Sequence, residues 1–204
     1  MQAILYGSGS SVSSYAVFFV CLSLVPVELI SPSSKRMRLL VFAYYNRLTS
    51  AQKRMYRKSD EITAVTVPDA FELHSLVSDL ENSLFLEDRQ KTEDICRSII
   101  ENIVARLSVS CFRVNILAVR PAGQWGELHG LYEPAQGRAS AKITIWMRTV
   151  KHRRVVAFRS FFRTLLHELC HYLDYELFLL PESFHTEGFY KRESSLFHQL
   201  SPER

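Results

Sequence analysis

The sequence predicts an α+β fold, in which N-terminal helices precede a three-stranded, mainly antiparallel meander, a long helix and a closing helix. Changes in the spacing of apolar residues predict this order. The spacing is helical before residue 107, alternates in a β-like pattern from residue 111, and is helical again from residue 155. With 204 residues, of which 47% are hydrophobic and 23% charged, the chain is long enough for one sizeable core.

Residues 1–36 are predicted to form a poorly packed or dispensable extension, and residues 37–204 a single domain. Residues 15–27 are an apolar run like the core of a signal peptide, but no Lys or Arg precedes it and Pro26 interrupts its end. The run is too short for a typical transmembrane span, so no stable membrane insertion is expected. Met37 offers an alternative start. We expect a cytoplasmic protein, with export as the alternative if the run acts as a signal sequence.

Three helices are predicted ahead of the strands: residues 49–58, 69–85 and 87–107. The second opens with Pro68 and Asp69, which are typical of a helix start. The third carries Ile95, Ile99 and Ile103 four residues apart, with charged residues mostly on the other side. Both helices are therefore expected to pack one apolar face on the core.

Three strands are predicted next: residues 111–118, 127–132 and 141–150. In the first, Phe112, Val114 and Ile116 alternate with other side chains at the spacing of a half-buried strand. A turn at Gly137 separates the second strand from the third. Two helices close the fold, over residues 155–178 and from about Thr186. The first of them stops ahead of Pro181 and is apolar at helical spacing, at Phe158, Phe162, Leu165, Leu169 and Leu173.

Charge and cysteine content argue against several classes of protein. The chain has 25 Lys and Arg against 21 Asp and Glu, and this net charge of +4 is too mild to predict a nucleic-acid or membrane partner by itself. Residues 138–163 hold eight basic side chains and no acidic one, which predicts a basic surface, usually a solvated one. The four cysteines form no C-x-x-C pair, so reduced thiols fit better than a disulfide framework or a zinc finger.

The segment His167-Glu168-Leu169-Cys170-His171 matches H-E-x-x-H within the long predicted helix. Residues four apart on a helix point the same way, so both imidazoles can bind one zinc ion at about 2.0–2.1 Å. Glu168 lies one step round the helix, where it can accept a proton from a zinc-bound water without being a ligand. The metal lowers the pKa of that water towards about 7 and polarises the substrate carbonyl. The motif therefore predicts a catalytic zinc site with Glu168 as general base.

A catalytic zinc site needs a third protein ligand and an open fourth position. One class of zinc peptidases has Gly three residues and His six residues after the second His, but this chain has Asp174 and Leu177 there. His185 is the best candidate, because it follows the break at Pro181 and stands just before the closing helix. The alternatives, which would give a His-His-Glu site, are Glu182, Glu187 and Glu193.

Other side chains near the motif can support such a site. Asp174 lies one turn beyond His171, where a carboxylate can orient a ligand imidazole, although an exposed helix residue would fit the pattern equally well. A donor for the oxyanion is also expected, and the sequence does not rank its candidates: Tyr190, Arg192, His129 and Tyr172. An edge strand beside the motif helix can pair with an extended substrate backbone, and residues 141–147 are the predicted edge.

The motif helix, the turn and the run from His185 to Phe189 resemble the SprT-like metallopeptidases. In that family H-E-x-x-H is followed by a turn and by an H-x-x-x-[FW] pattern that leads into a helix. The resemblance covers roughly residues 111–200. It implies a compact zincin-like domain that hydrolyses peptide bonds, with Glu168 as base and three zinc ligands, His167, His171 and His185. Members often carry a cysteine zinc ribbon, whereas this chain has no C-x-x-C, so the resemblance gives little support to a DNA-directed function.

The sequence therefore favours a zinc metallopeptidase that acts on a peptide or protein substrate. A zinc amidase of non-peptide substrates would use the same water activation. A third hypothesis is a non-catalytic, zinc-stabilised module that binds nucleic acid or an acidic partner through the basic surface. A structural zinc site has no use for Glu168 and usually has four protein ligands with more cysteine, which argues mildly against the third hypothesis.

Overall fold

The computed structural model describes residues 44–123 and 126–201, together with a short strand at Phe19–Val20. Apart from that strand, the predicted extension, residues 1–36, and its apolar run, residues 15–27, lie outside the described residues. The described part of the chain has an α+β fold, as the sequence predicts. One hydrophobic core takes side chains from Val65 to Leu200 and includes every helix from residue 74 onward.

Five helices lie in the described residues: α1 (Ser50–Glu61), α2 (His74–Phe85), α3 (Arg89–Arg106), α4 (Phe158–Glu176) and α5 (Glu187–Leu200). All five predicted helices are present, with ends shifted by a few residues. The largest shift precedes α2, where Ala70–Leu73 forms a 3₁₀ turn after Asp69, whose φ of 49° is left-handed. Helix α1 begins with a capping box, in which the side chain of Thr49 accepts from the Gln52 amide and the Gln52 side chain accepts from the Thr49 amide.

The strands are β1 (Phe19–Val20), β2 (Arg113–Val119), β3 (Ala122–Gly123), β4 (Gly126–Glu127), β5 (Gly130–Glu133) and β6 (Lys142–Arg148). The main sheet has the order β1-β5-β6-β2, and β3 and β4 form a separate antiparallel pair. Strand β5 runs antiparallel to β6, with Gly130 opposite Ile145, but β2 runs parallel to β6, with Arg113 opposite Lys142.

The predicted antiparallel meander is therefore wrong. Strand β5 follows β2 in the chain but lies on the far side of β6, and the separate β3–β4 pair stands between β2 and β5 in the sequence. The predicted substrate edge, residues 141–147, is wrong for the same reason, because β6 is the central strand. Its burial agrees with this position, since all five residues from Ile143 to Met147 are buried, as in a strand covered on both faces.

The free edge of β2 is blocked by two side chains of α3. The Ile116 amide donates to Glu93 Oε2 at 2.8 Å, and Arg89 Nη1 donates to the Ile116 carbonyl at 2.9 Å. An added strand could not pair at this point without displacing both side chains. The opposite edge strand is the two-residue β1, which pairs antiparallel with the outer side of β5.

Helix α4 packs on β5, β6 and α5, while α1 packs across α5. Gly188 permits the second contact, because a Cβ at this position would lie 2.3 Å from the carbonyl oxygen of Asp60. The Asp60 carboxylate accepts a hydrogen bond from the Gly188 amide at 2.9 Å. This close approach fixes the start of α5, and with it the segment that follows Pro181. Within the described residues, the helices are too short or too polar to cross a membrane.

Candidate metal centre

Helix α4 supplies two of the three histidines that meet in the core. His167 and His171 are four residues apart, and both are buried where α4 packs between the sheet and α5. Their rings lie 5.0 Å apart, centroid to centroid, and their Nε2 atoms both approach the same third residue. The spacing of the motif thus places both nitrogens on the face of α4 that meets the segment after Pro181.

His185 is that third residue, as predicted. Its Nε2 lies 2.9 Å from Nε2 of His167 and 3.0 Å from Nε2 of His171. Two nitrogens bound to one tetrahedral zinc ion at about 2.0–2.1 Å lie about 3.3 Å apart, so the cluster fits such an ion after shifts of a few tenths of an ångström. The three ligand atoms lie within 4.8 Å of one another, and no carboxylate or thiol of the described residues joins this group.

Two contacts hold His185 in place. Thr186 caps α5 by accepting from the Phe189 amide at 2.9 Å, which fixes the chain direction directly after the ligand. Tyr44 donates its phenol hydrogen to the His185 carbonyl at 3.1 Å. Phe189 then packs its ring on all three imidazoles at centroid distances of 4.7–5.1 Å. The H-x-x-x-F pattern therefore has a physical reason, because its Phe is an apolar platform for the ligand rings.

Hydrogen bonds to Nδ1 leave Nε2 of both α4 histidines available to a metal. His167 Nδ1 lies 3.0 Å from Glu193 Oε2, and a carboxylate only accepts, so Nδ1 carries the proton. His171 Nδ1 lies 2.8 Å from the Ser183 hydroxyl, which donates in turn to Asp174 Oδ2 at 2.6 Å. Asp174 therefore lies behind the His171 imidazole, and the Ser183 hydroxyl, which no sequence pattern indicates, connects the two.

Arg192 anchors the Asp174 end of this chain of bonds. Its guanidinium is fully buried and donates to Asp174 Oδ1 at 2.7 Å and to the Ser59 carbonyl, also at 2.7 Å. It donates further to the carbonyl of Ile62 at 2.5 Å. One arginine of α5 thus connects the end of α1 to the carboxylate behind the metal cluster. Burial raises the pKa of Asp174 to about 6, although the charge of Arg192 and the Ser183 hydrogen bond act in the opposite direction.

Two of the three histidines, His171 and His185, lie in environments that favour the neutral ring. Burial lowers the pKa of His171 well below its usual value, and the neighbouring charges of His185, His167 and Arg192 lower it further. Burial likewise lowers the pKa of His185, with a further contribution from His167. Neutral imidazole is the form that binds a metal, so these environments favour metal binding near neutral pH.

Glu168 is fully buried beside the cluster, on the same turn of α4 as His167. Neither carboxylate oxygen makes a hydrogen bond of ordinary geometry to the described residues. Burial raises the pKa of Glu168 well above its usual value, an effect that the backbone of Tyr132 opposes and the charge of Glu193 adds to. A buried carboxylate without a strong partner is costly, so its presence here indicates a functional requirement.

The alternative third ligands lie elsewhere. Glu182 accepts from the Gln52 side chain at 3.0 Å, and Glu187 pairs with Lys191 at 2.9 Å. Glu193 contacts His167 from the Nδ1 side, opposite the nitrogen that faces the cluster. Cys170, inside the motif, is a buried residue of the hydrophobic core.

The structure separates the candidates for an oxyanion donor. Arg192 is fully buried and committed to Asp174, and the Tyr172 hydroxyl donates to the Ser110 carbonyl at 2.5 Å. Tyr190 is 40% exposed, and its ring stacks on His185 at 5.9 Å and lies 6.2 Å from His167. Among these three, Tyr190 is therefore the one that lies beside the histidines and is open to solvent.

The predicted basic surface is smaller than the run of charges suggested. Lys142 pairs with Glu133 at 2.6 Å, and Arg148 pairs with Glu87. Arg163 pairs with Glu193 at 3.1 Å. The exposed cations that lie together in the turn between β6 and α4 are Lys151, Arg153 and Arg154.

No family model, no curated protein and no solved structure matches this chain. The indications of its function therefore lie in the chemistry of the site.

Proposed function

We propose that the protein is a zinc-dependent peptidase, with His167, His171 and His185 as zinc ligands and Glu168 as general base. One observation carries the proposal. Three imidazole nitrogens converge, and a buried carboxylate that is not among them lies on the same turn of α4 as His167. This is the donor set of a catalytic zinc site with one coordination position open to water or substrate.

A bound zinc ion would lower the pKa of a coordinated water towards about 7 and polarise a carbonyl oxygen. The chain's own residues supply the rest. Glu168 takes a proton from the attacking water and delivers it to the leaving amine, since its apolar surroundings favour holding a proton between these steps. The raised pKa of a buried carboxyl group suits both roles near neutral pH.

A catalytic role accounts for more of the site than a structural role does. A closed structural zinc site would recruit a fourth protein ligand, and the described residues offer three. It would also leave unexplained why Glu168 is buried without a well-formed hydrogen bond at a cost in stability. Acidic side chains pair with three cations of the basic surface, Lys142, Arg148 and Arg163. This pairing weakens the nucleic-acid hypothesis further.

An extended polypeptide is the substrate class we propose. Strand β5 is the strand of the sheet nearest to the site, since Gly130 at its start lies against the side chains of Glu168 and Thr164. The outer side of β5 pairs with the short strand β1, and a peptide that replaces β1 there would run past Glu168. The far edge, β2, is unsuited to this role because Arg89 and Glu93 occupy it and because β6 separates it from β5.

The test compares the wild type with Glu168→Gln in two measurements on the same samples. The zinc content is measured after purification without added metal, and hydrolysis is followed with a fluorescently labelled, unstructured protein. We expect about one zinc per chain in both proteins and a loss of at least about 100-fold in hydrolysis in the variant, the usual contribution of a general base. Glu176→Gln, an exposed glutamate at the end of the same helix, is the matched control and should leave both values unchanged.

Two results would refute the proposal. A wild type that binds no zinc would remove the metal centre, and Glu168→Gln with the hydrolysis rate of the wild type would remove the general base. Zinc binding without hydrolysis of any polypeptide, together with salt-dependent binding to DNA, would favour the non-catalytic module instead.

A further inference from the structure

The two histidines of α4 differ in the hydrogen bonds that their Nδ1 atoms make. His171 reaches the carboxylate of Asp174 through the neutral hydroxyl of Ser183, whereas His167 contacts Glu193 directly at 3.0 Å. Glu193 is in turn held by Arg163, whose Nη1 donates to the other carboxylate oxygen at 3.1 Å. The same carboxylate therefore bridges a metal-binding imidazole and a guanidinium.

We propose that Arg163 and Glu193 form a positioning pair for His167. Glu193 sets which nitrogen of His167 carries the proton and how the ring is turned, and Arg163 fixes Glu193 and balances its charge. The proposal rests on the metal-binding part of the proposed function and not on the hydrolysis.

Helix spacing explains how the pair is assembled. Arg163 and His167 lie one turn apart on α4, so both point towards α5, where Glu193 projects between them. Phe197, one turn after Glu193 on α5, lies under the guanidinium at 4.2 Å from its carbon to the ring centroid. Arg163 is thus held between a carboxylate and an aromatic face, the two contacts that a planar guanidinium makes best.

Burial explains why Glu193 needs this partner. Its side chain is 12% exposed and that of His167 is 7% exposed, so the carboxylate is largely withdrawn from water. An uncompensated charge at that depth is costly and would tend to turn Glu193 towards solvent. The side chain of Arg163 is 38% exposed, so it can supply the compensating charge while part of it remains hydrated.

Arg159 provides a matched control. It lies one turn before Arg163 on α4 and also stacks on Phe197, at 5.2 Å, but it makes no hydrogen bond to Glu193. Removing its charge alters the same exposed face of α4 and the same aromatic ring. An effect that belongs to Arg163 and not to Arg159 therefore comes through Glu193.

The experiment measures the zinc dissociation constant of the full chain by competition with a chromophoric chelator. The variants are Glu193→Ala, Glu193→Gln, Arg163→Gln, Arg159→Gln and the double variant Arg163→Gln/Glu193→Ala. Loss of a partner behind a ligand imidazole usually weakens metal binding about 10- to 100-fold, and we expect this range for Glu193→Ala. We expect a smaller loss for Glu193→Gln, which keeps an acceptor oxygen, a loss of about 5- to 10-fold for Arg163→Gln, and less than 2-fold for Arg159→Gln.

The double variant makes the test specific. If Arg163 acts through Glu193, Arg163→Gln has no further effect once Glu193 is alanine, so the two losses do not add. The absorption spectrum of the cobalt-loaded protein gives a second readout. It should change in Glu193→Ala and in Arg163→Gln and stay unchanged in Arg159→Gln. Circular dichroism in the presence of chelator identifies any variant that fails to fold, and Glu193→Gln then carries the comparison in place of Glu193→Ala.

Independent, additive losses in the double variant would overturn the proposal, as would equal zinc affinities for Arg163→Gln and Arg159→Gln. Both results differ from failure of the proposed function, in which the wild type itself would bind no zinc.

Discussion

Gly130 lies directly against the carboxylate of Glu168. A Cβ at position 130 would stand 2.5 Å from Glu168 Oε1 and 2.8 Å from its Cγ, closer than side-chain contacts allow. The same Cβ would lie 2.8 Å from the methyl group of Thr164. The absence of a side chain thus lets β5 pass close over Glu168. The contact links the strand that we expect to bind substrate with the residue that we expect to move the proton.

The first prediction follows from this contact. Gly130→Ala should lower kcat/KM at least about 10-fold and destabilise the protein by about 1–3 kcal/mol, because β5 or Glu168 must shift to admit the methyl group. The zinc content should stay unchanged, since the ligands are not touched. Hydrolysis assays, urea unfolding and metal analysis measure the three quantities.

Gly137→Ala is the control for this variant. It alters a glycine whose Cβ would meet nothing within 4 Å but whose φ of 58° is left-handed. It should cost about 1 kcal/mol of stability and leave kcat/KM unchanged. Wild-type activity in Gly130→Ala would contradict the role assigned to the close approach of β5.

The third ligand is tested by His185→Ala. The remaining two imidazoles are too few protein ligands for a catalytic zinc site. We therefore expect zinc to be lost during purification and the thermal stability to become insensitive to chelator. In the wild type, a chelator should lower the melting temperature, because the metal ties α4 to the segment before α5. His198→Ala, an exposed histidine of α5, should behave like the wild type. A His185→Ala protein that keeps zinc would show that another residue is the third ligand.

The sequence predicts those parts of the fold and site that depend on spacing within one element. The spacing of apolar residues predicted all five helices, and H-E-x-x-H predicted His167 and His171 on one face of α4. The prediction of His185 relied on a short pattern, and the structure explains the pattern by the contact of Phe189 with all three rings. Each of these relations is contained in a single helix or in the turn that starts one.

The errors concern relations between elements. Alternation in β2 is compatible with either direction of pairing, so it could not reveal that β2 runs parallel to β6. The nearly unbroken apolar run from Ile143 to Met147 was the available sign that β6 is central, because a strand covered on both faces does not alternate. The way in which α5 crosses α4 decides which nitrogen of His167 the Glu193 carboxylate reaches. Residue spacing does not encode this crossing, so the sequence leaves Glu193 as a candidate ligand. Ser183 carried no sequence signal at all.

Arg192 is expected to matter for stability far more than its neighbour Lys191. Arg192→Met should destabilise the protein by about 3–5 kcal/mol, because it leaves Asp174 buried without its partner and removes donors from the end of α1. Lys191→Met removes the same charge one residue earlier, where the side chain is 54% exposed and pairs only with Glu187 one turn away. Its effect should be within about 0.5 kcal/mol. Urea unfolding of the zinc-free proteins measures both, and equal losses would contradict the assigned role of Arg192.

The outer edge of β5 provides the last prediction. Strand β1 pairs with this edge, with Phe19 opposite Tyr132 and Val20 opposite Leu131, so it occupies the place where an extended substrate would bind. A chain that starts at Met37 lacks β1 and should hydrolyse an unstructured protein at least about 3-fold faster, because the substrate then pairs with β5 without competition. Its zinc content should stay unchanged. Val20→Pro in the full chain removes one backbone donor from β1 and should raise the rate in the same direction. A slower reaction in both variants would show that β1 supports the site instead of competing for it.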